Sequence, residues 1–267
     1  MKRICVLMIG LLGMVACKKE SPNAELTERE YKVTFNVKSL RQTSESARIS
    51  KTASLSSDSV AENFYRITYL AYNESHVLVD STSQYNNGNT GFRSIPSALA
   101  PGKYTIVFIG SESNFLLEDI GNLNSVNLVF PQDVFLAKTE ISVTDKNVVK
   151  SIALEKVSGK LRIDIEDKLP ENVDEIHVAI SNAPDKLLIN TGMVASVAPL
   201  TLVLPVEKTD LQKTHKIIET DVLASETPLT WVIITLLDKG KNILAQKTIN
   251  NVVVERNSAA VLSAKLF

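Results

Sequence analysis

The sequence predicts an all-β chain, with two β-sandwich domains in series behind an export leader. Three observations carry that prediction. Short segments in which apolar and polar residues alternate with period two recur along most of the chain. Turn-forming residues separate them at close intervals. No long segment sustains a period of 3.6, so strands do not alternate with helices as they would in an α/β fold. A length of 267 residues with 44% hydrophobic content suits two small cores.

The leader comes first. Lys2 and Arg3 form a positive start, and Ile4 to Ala16 carries no charge. That run is too short to span a bilayer, which takes about 20 apolar residues, and suits the apolar region of a secretion signal. It ends in Met14-Val15-Ala16-Cys17. A small residue followed by cysteine is the layout of a bacterial lipoprotein signal, and it predicts that residues 1–16 are removed and Cys17 is lipidated. Two or three acyl chains, at roughly 0.8 kcal/mol per buried methylene, would make the anchor effectively permanent. Residues 17–29 are polar after the cysteine and read as a tether.

The first domain is expected over 30–156. Tyr31-Lys32-Val33-Thr34-Phe35-Asn36-Val37 alternates as a half-buried strand does. Residues 38–60, rich in Ser and Thr with Arg41, Arg48 and Lys51, read as a long loop. Strand signals follow at Phe64–Tyr72, His76–Asp80 and Phe92–Ile95, with a turn-rich loop predicted over Ser83–Gly91. Pro101-Gly102 is a turn feeding the apolar run Tyr104–Ile109. Phe115–Ile120 is expected to form a helical turn, and Val126–Phe130, Glu140–Val143 and Val148–Leu154 to form further strands.

The second domain, over 157–267, starts beyond the Leu154–Gly159 junction. Lys160–Glu166 and Glu175–Ile180 alternate cleanly. Leu200–Leu204, Trp231–Leu237, Ile243–Ile249 and Ala259–Phe267 complete the set, with Asp238-Lys239-Gly240-Lys241 as a hairpin turn. Glu207–Leu223 is the one stretch expected to hold a helix. Ala259–Phe267 reads as the last strand of this sandwich, with donation to a neighbour as the other option.

Composition excludes several functions. Loss of Lys2 and Arg3 with the leader takes the net charge from −1 to −3, so no basic excess marks a nucleic-acid partner. Cys5 leaves with the leader and Cys17 is the only other cysteine, which removes disulfides, Cys-ligated metals and a thiol nucleophile from the mature chain. His76, His177 and His215 stand far apart without ligand spacing, so no metal or other cofactor is expected. No P-loop, dinucleotide fingerprint or nucleophile elbow is present. Asp164 and Glu166 share the outer face of one strand, which reads as a solvated surface rather than a glycosidase pair. Trp231 opens an apolar run and reads as a core residue rather than a sugar platform. No catalytic residue is assigned, and the chain is not expected to be an enzyme.

Several motifs together resemble a known family. They are the lipobox cysteine, the early Tyr31–Val37 strand, the Arg-bearing polar loop, Leu99-x-Pro-Gly-x-Tyr104, the segment Asp133–Val143, and Leu154-Glu155-Lys156-Val157-Ser158-Gly159-Lys160-Leu161. The chain resembles the Bacteroidota fimbrillin superfamily, in particular its FimB-like fimbrial subunit and anchor lipoproteins. The resemblance implies two transthyretin-like β-sandwiches, lipid anchoring at the cell outer membrane, and assembly into a pilus by β-strand donation. It implies other fimbrial subunits as partners and adhesion to a host or bacterial surface ligand. In polymerising members a protease cuts after an Arg in the loop behind the first strand, which opens a groove; anchor members keep that strand. The corresponding positions here are Arg41 and Arg48 for cleavage, and Tyr31, Val33, Phe35 and Val37 for the displaced strand. The alternative is a surface glycan-binding lipoprotein of a nutrient-uptake system.

Overall fold

The computed structural model describes residues 29–40, 64–88, 90–129 and 133–267. The leader, Cys17, most of the tether and the candidate cleavage sites Arg41 and Arg48 lie outside the described residues. All regular structure among the described residues is strand. The first nine strands are β1 (Tyr31–Leu40), β2 (Arg66–Asn73), β3 (Leu78–Tyr85), β4 (Ser94–Leu99), β5 (Gly102–Ser111), β6 (Leu116–Glu118), β7 (Asn127–Val129), β8 (Val134–Val143) and β9 (Val148–Lys156). The other seven are β10 (Ser158–Ile165), β11 (Val173–Leu188), β12 (Met193–Pro205), β13 (Lys216–Leu223), β14 (Leu229–Asp238), β15 (Ile243–Val252) and β16 (Ala259–Ala264).

In the first unit the strand order is β3-β2-β5-β8-β9-β1-β4. The β8–β9 junction is short, pairing only Phe135 with Lys156 and Leu136 with Glu155. There the sheet turns over on itself. The layer β4-β1-β9 then faces the layer β3-β2-β5-β8 across one core, built from Phe35, Tyr69, Phe108, Phe135, Ile152 and their neighbours. The alternating apolar residues of β1 supply its inner face. The runs of β2 and β5 are apolar almost throughout because both of their faces are covered. Ile67, Tyr69, Ile106 and Phe108 face the first core, whereas Leu70, Tyr72, Val107 and Ile109 face a second cluster. The Leu99-x-Pro-Gly-x-Tyr104 motif is a closed turn, in which the Tyr104 hydroxyl donates to the Ala100 carbonyl at 2.8 Å.

The second unit repeats this plan. The strand β10 pairs antiparallel with β13 and parallel with β16, as β1 does with β4 and β9. The strands β12-β11-β14-β15 match β3-β2-β5-β8 in order. A core of Leu161, Ile163, Ile176, Val178, Val232 and Ile234 fills the space between the layers.

The two units are tightly coupled. Only Val157 separates β9 from β10. The short strands β6 and β7 leave the first unit and pair onto β11, with Lys186–Leu188 opposite Asn127–Val129. Tyr72, Val107 and Ile109 of the first unit share an apolar cluster with Leu187, Ile189 and Leu223 of the second. Lys156 is buried at the junction, 2.6 Å from an Asp133 carboxylate oxygen and 2.9 Å from one of Asp221. Gly159 lies so close to the backbone of Glu255 that an added Cβ would fall 2.2 Å from its carbonyl oxygen. That contact explains the glycine in the Val157-Ser158-Gly159 motif.

Three expectations are corrected. Phe115–Ile120 contains the strand β6, not a helical turn, because it adds to β7 at the edge of a sheet. Glu207–Leu223 contains a turn and then β13, whose Lys216–Leu223 ladder with β10 overrides any helical tendency. Part of the predicted loop Ser83–Gly91 is strand, since β3 runs on to Tyr85 against β2.

Candidate functional site

The strand β1 holds the central place in its layer. It runs antiparallel to β4, with Tyr31 opposite Leu99 and Asn36 opposite Ser94. On the other side it runs parallel to β9, with Val33 opposite Val148 and Leu40 opposite Glu155. Period-two alternation sends Val33, Phe35 and Val37 into the core, where Val33 and Phe35 are fully buried. The Phe35 ring lies 5.1 Å from that of Phe108 and 5.4 Å from that of Tyr69. Tyr31 is half-buried at the start of the strand, with the Arg29 guanidinium 5.4 Å from its ring centroid. The Lys32 amide donates to the Asn147 side chain at 3.0 Å.

This placement makes β1 a keystone. Among the described residues the strand β4 has no ladder partner other than β1. The strand β9 pairs with β1 from Val148 to Glu155, but with β8 only at Glu155 and Lys156. Withdrawing β1 would therefore leave two facing edges separated by about 9–10 Å, twice the normal spacing between strands. The floor of that gap would be the apolar surface now covered by Val33, Phe35 and Val37. Each of these side chains is worth about 1.5–3 kcal/mol of burial, so an empty groove is strongly unfavourable. An extended segment of the right pattern would restore both the ladder and the burial.

Side chains, not backbone, hold β4 across the open end of the sandwich. The Ser97 hydroxyl donates to Asp80 at 2.6 Å and accepts from the Tyr69 hydroxyl at 3.0 Å. The Gln84 side chain donates to the Ser94 carbonyl at 2.9 Å and accepts from the Arg93 amide at 3.0 Å. Burial pushes the Tyr69 hydroxyl well above its ordinary pKa, so it remains a neutral donor in this chain. Burial likewise pushes Tyr72 up to about 12. At the junction, burial pulls the Lys156 ammonium down, but hydrogen bonds to Asp133 and Asp221 outweigh it and the pKa is raised.

The structure brings Tyr31, Val33, Phe35 and Val37 together on one strand, whereas Cys17, Arg41 and Arg48 fall outside the described residues. The three histidines have separate partners: His76 with Asn124, His177 with Glu175 and His215 with Asp164. Asp164 and Glu166 point to different neighbours, His215 and Lys265. Trp231 corrects the core expectation. It alternates with the buried Val232 and Ile234, so it lies half-buried and outside the core cluster. The Asp80, Ser97 and Gln84 contacts had no signal in the sequence, because they join strands that do not pair through their backbones.

No curated protein matches the chain. Solved structures do. A proposed polysaccharide-binding protein of Bacteroides thetaiotaomicron VPI-5482 aligns with TM-score 0.57 at 11% identity, over 83% of this chain and 80% of that one. A proposed adhesin of Bacteroides ovatus ATCC 8483 aligns with TM-score 0.56 at 12% identity, over 96% of this chain and 98% of that one. The fimbrial anchor protein Mfa2 of Porphyromonas gingivalis aligns with TM-score 0.51 at 14% identity, over 82% of each chain. At such identities these likenesses show a shared fold. The model of a protein family, the fimbrillin-A associated anchor proteins Mfa1 and Mfa2, matches residues 25–260, and the chain belongs to that family.

Proposed function

We propose that this protein is a fimbrial subunit or anchor of the cell surface, with a structural and adhesive role and no catalysis. Family membership over residues 25–260 supports the fimbrial role. The Met14-Val15-Ala16-Cys17 leader supports attachment to the outer membrane through lipid on Cys17. On this reading residues 30–156 and 157–267 are two transthyretin-like sandwiches presented at the end of the tether, and other fimbrial subunits are the partners.

The observation that carries the assembly mechanism is the keystone position of β1. Its neighbours would present two unpaired edges and an apolar floor, the arrangement that accepts a donated strand. While β1 stays in place the groove is filled and the subunit terminates a chain of donations, as an anchor must. Cleavage after Arg41 or Arg48 would convert it into an acceptor. The test is a deletion strain complemented with the wild-type gene or with Cys17→Ser. The expected result is loss of the variant from the membrane fraction and shedding of fimbriae into the medium. Unchanged fractionation with fimbriae still attached would refute the anchoring role.

A further inference from the structure

The sequence holds one asparagine followed by glycine, Asn87-Gly88, and the structure places the pair in the loop between β3 and β4. Both residues are exposed. Among the described residues the Asn87 side chain makes no hydrogen bond, and neither does the Gly88 amide. Other asparagines are held: the side-chain oxygens of Asn73, Asn122, Asn147 and Asn182 each accept from a backbone amide. Gly88 has φ +83°, and a Cβ built there would meet nothing within 4 Å. Its nitrogen is therefore shielded neither by a side chain of its own nor by a neighbour.

The loop is closed at its base, away from this pair. The Gln84 side chain donates to the Ser94 carbonyl at 2.9 Å and accepts from the Arg93 amide at 3.0 Å. The Asn86 amide donates to the Tyr65 carbonyl at 2.8 Å. Asn87 and Gly88 lie outside these bonds, so a change at them leaves β3, β4 and the core in place.

We infer that Asn87 is a self-modification site, where the chain's own backbone converts a neutral side chain into a carboxylate. The Gly88 nitrogen, its proton lost to the solvent, attacks the Asn87 side-chain carbonyl carbon. A nitrogen–carbon bond forms, the bond from that carbon to Nδ2 breaks, and Nδ2 leaves as ammonia after taking a proton from water. Nucleophile and target sit in neighbouring residues, so ring closure is intramolecular and needs no enzyme. Water then opens the five-membered imide. Attack at the side-chain carbonyl gives aspartate, and attack at the main-chain carbonyl gives isoaspartate, in which the backbone runs through Cβ and Cγ. The sum is one water consumed and one ammonia released. Either product adds one negative charge to the loop, so a chain retained at the cell surface gains that charge with age. The site does not depend on the fimbrial role or on whether β1 ever leaves.

The test incubates the full-length protein in mildly alkaline water enriched in heavy oxygen, followed by peptide mapping with mass spectrometry. The expected result is heavy oxygen at residue 87 in two isomeric peptides, aspartate and isoaspartate, with Asn86 still an amide and Tm unchanged. Asn86 is the internal control, being equally exposed but followed by a residue with a Cβ. Gly88→Ala should slow labelling about tenfold, because its Cβ shields the nitrogen and disfavours φ +83°. Asn87→Gln, which would need a six-membered ring, should abolish it and keeps the loop glycine if the alanine variant does not fold. Equal labelling at Asn86, a single aspartate product without isoaspartate, or undiminished labelling in the Asn87→Gln protein would overturn the inference. So would an Asn87 that stays an amide in the folded protein while urea-unfolded chain is labelled there, since the loop would then be holding it.

Discussion

Truncating Phe35 to alanine removes the largest side chain that β1 contributes to the core. Phe35 is fully buried and packs between the rings of Tyr69 and Phe108 at 5.4 and 5.1 Å. Phe→Ala changes in such sites cost about 3–5 kcal/mol, combining lost transfer energy with the cavity left behind. The upper part of that range is expected here, because Tyr69 is held by its bond to Ser97 and cannot easily collapse into the space. Equilibrium urea unfolding measures the loss directly, with Asn36→Ala on the outer face as a control within about ±0.5 kcal/mol. The keystone position of β1 provides a second, more specific readout. Since β4 has no other ladder partner among the described residues, amide exchange across Ser94–Leu99 should accelerate together with that of β1. A loss below about 1 kcal/mol, or exchange in β4 that stays slow while β1 opens, would refute the reasoning.

Other consequences can be measured in the same way. Gly159→Ala forces a Cβ to within 2.2 Å of the Glu255 carbonyl oxygen, and a cost of at least 1–3 kcal/mol in urea unfolding is expected (roughly the overpacking range). Lys156→Met leaves Asp133 and Asp221 without their cation at the junction between units, and should cost about 3–5 kcal/mol in the same assay. Tyr104→Phe loses the bond to the Ala100 carbonyl, with a cost of about 1 kcal/mol by thermal unfolding. Stability against pH follows from signs. Hydrogen bonds to Lys241 and His177 lower Glu175, the bond to Lys216 lowers Asp210, and bonds to Asn242 lower Asp238. Their contributions are present above the unfolded carboxylate values of 4.5 and 3.8 and fade as pH falls through the lower folded values. Lys156 is raised above 10.5, so its contribution is intact below that pH and fades as pH climbs through the folded value. A stability plateau from about pH 5 to 10, with losses on both sides, is expected from denaturant midpoints.

Much of the fold was legible in the sequence where local pattern decides it. The alternation in β1 and β10 named the inward residues correctly, and the Pro101-Gly102 turn and the Asp238–Lys241 hairpin stand where they were read. Failures follow from long-range causes. The segment β13 carries Ile217, Ile218, Thr220 and Val222, whose branching favours strand, but only the ladder with β10 settles the matter. The far half of β11 is hidden by Pro184, which normally argues against a strand interior. Register shifts around Ile180/Ala183 and Pro184/Lys186 accommodate it. Trp231 departs from the core expectation for a local reason: with Val232, Ile234 and Leu236 facing inward, the alternation sends residue 231 outward. The burial of Lys156 could not be foreseen, because Asp133 and Asp221 reach it from distant parts of the chain. Equally, alternation marked Tyr31–Val37 as a strand but not as the central one, since its partners lie at 94–99 and 148–155.

Assembly by strand donation at this site requires that β1 can be exchanged. The most direct measurement nicks the full-length protein with trypsin between residues 41 and 60 and adds a fluorescein-labelled peptide of the sequence Tyr31–Leu40. The expected result is that the nicked protein takes up the peptide, that unlabelled peptide competes, and that a peptide carrying Phe35→Asp does not. Uptake that is equally strong in the intact protein, or absent after nicking while the fold persists, would contradict the claim that β1 fills a groove open to a donated strand.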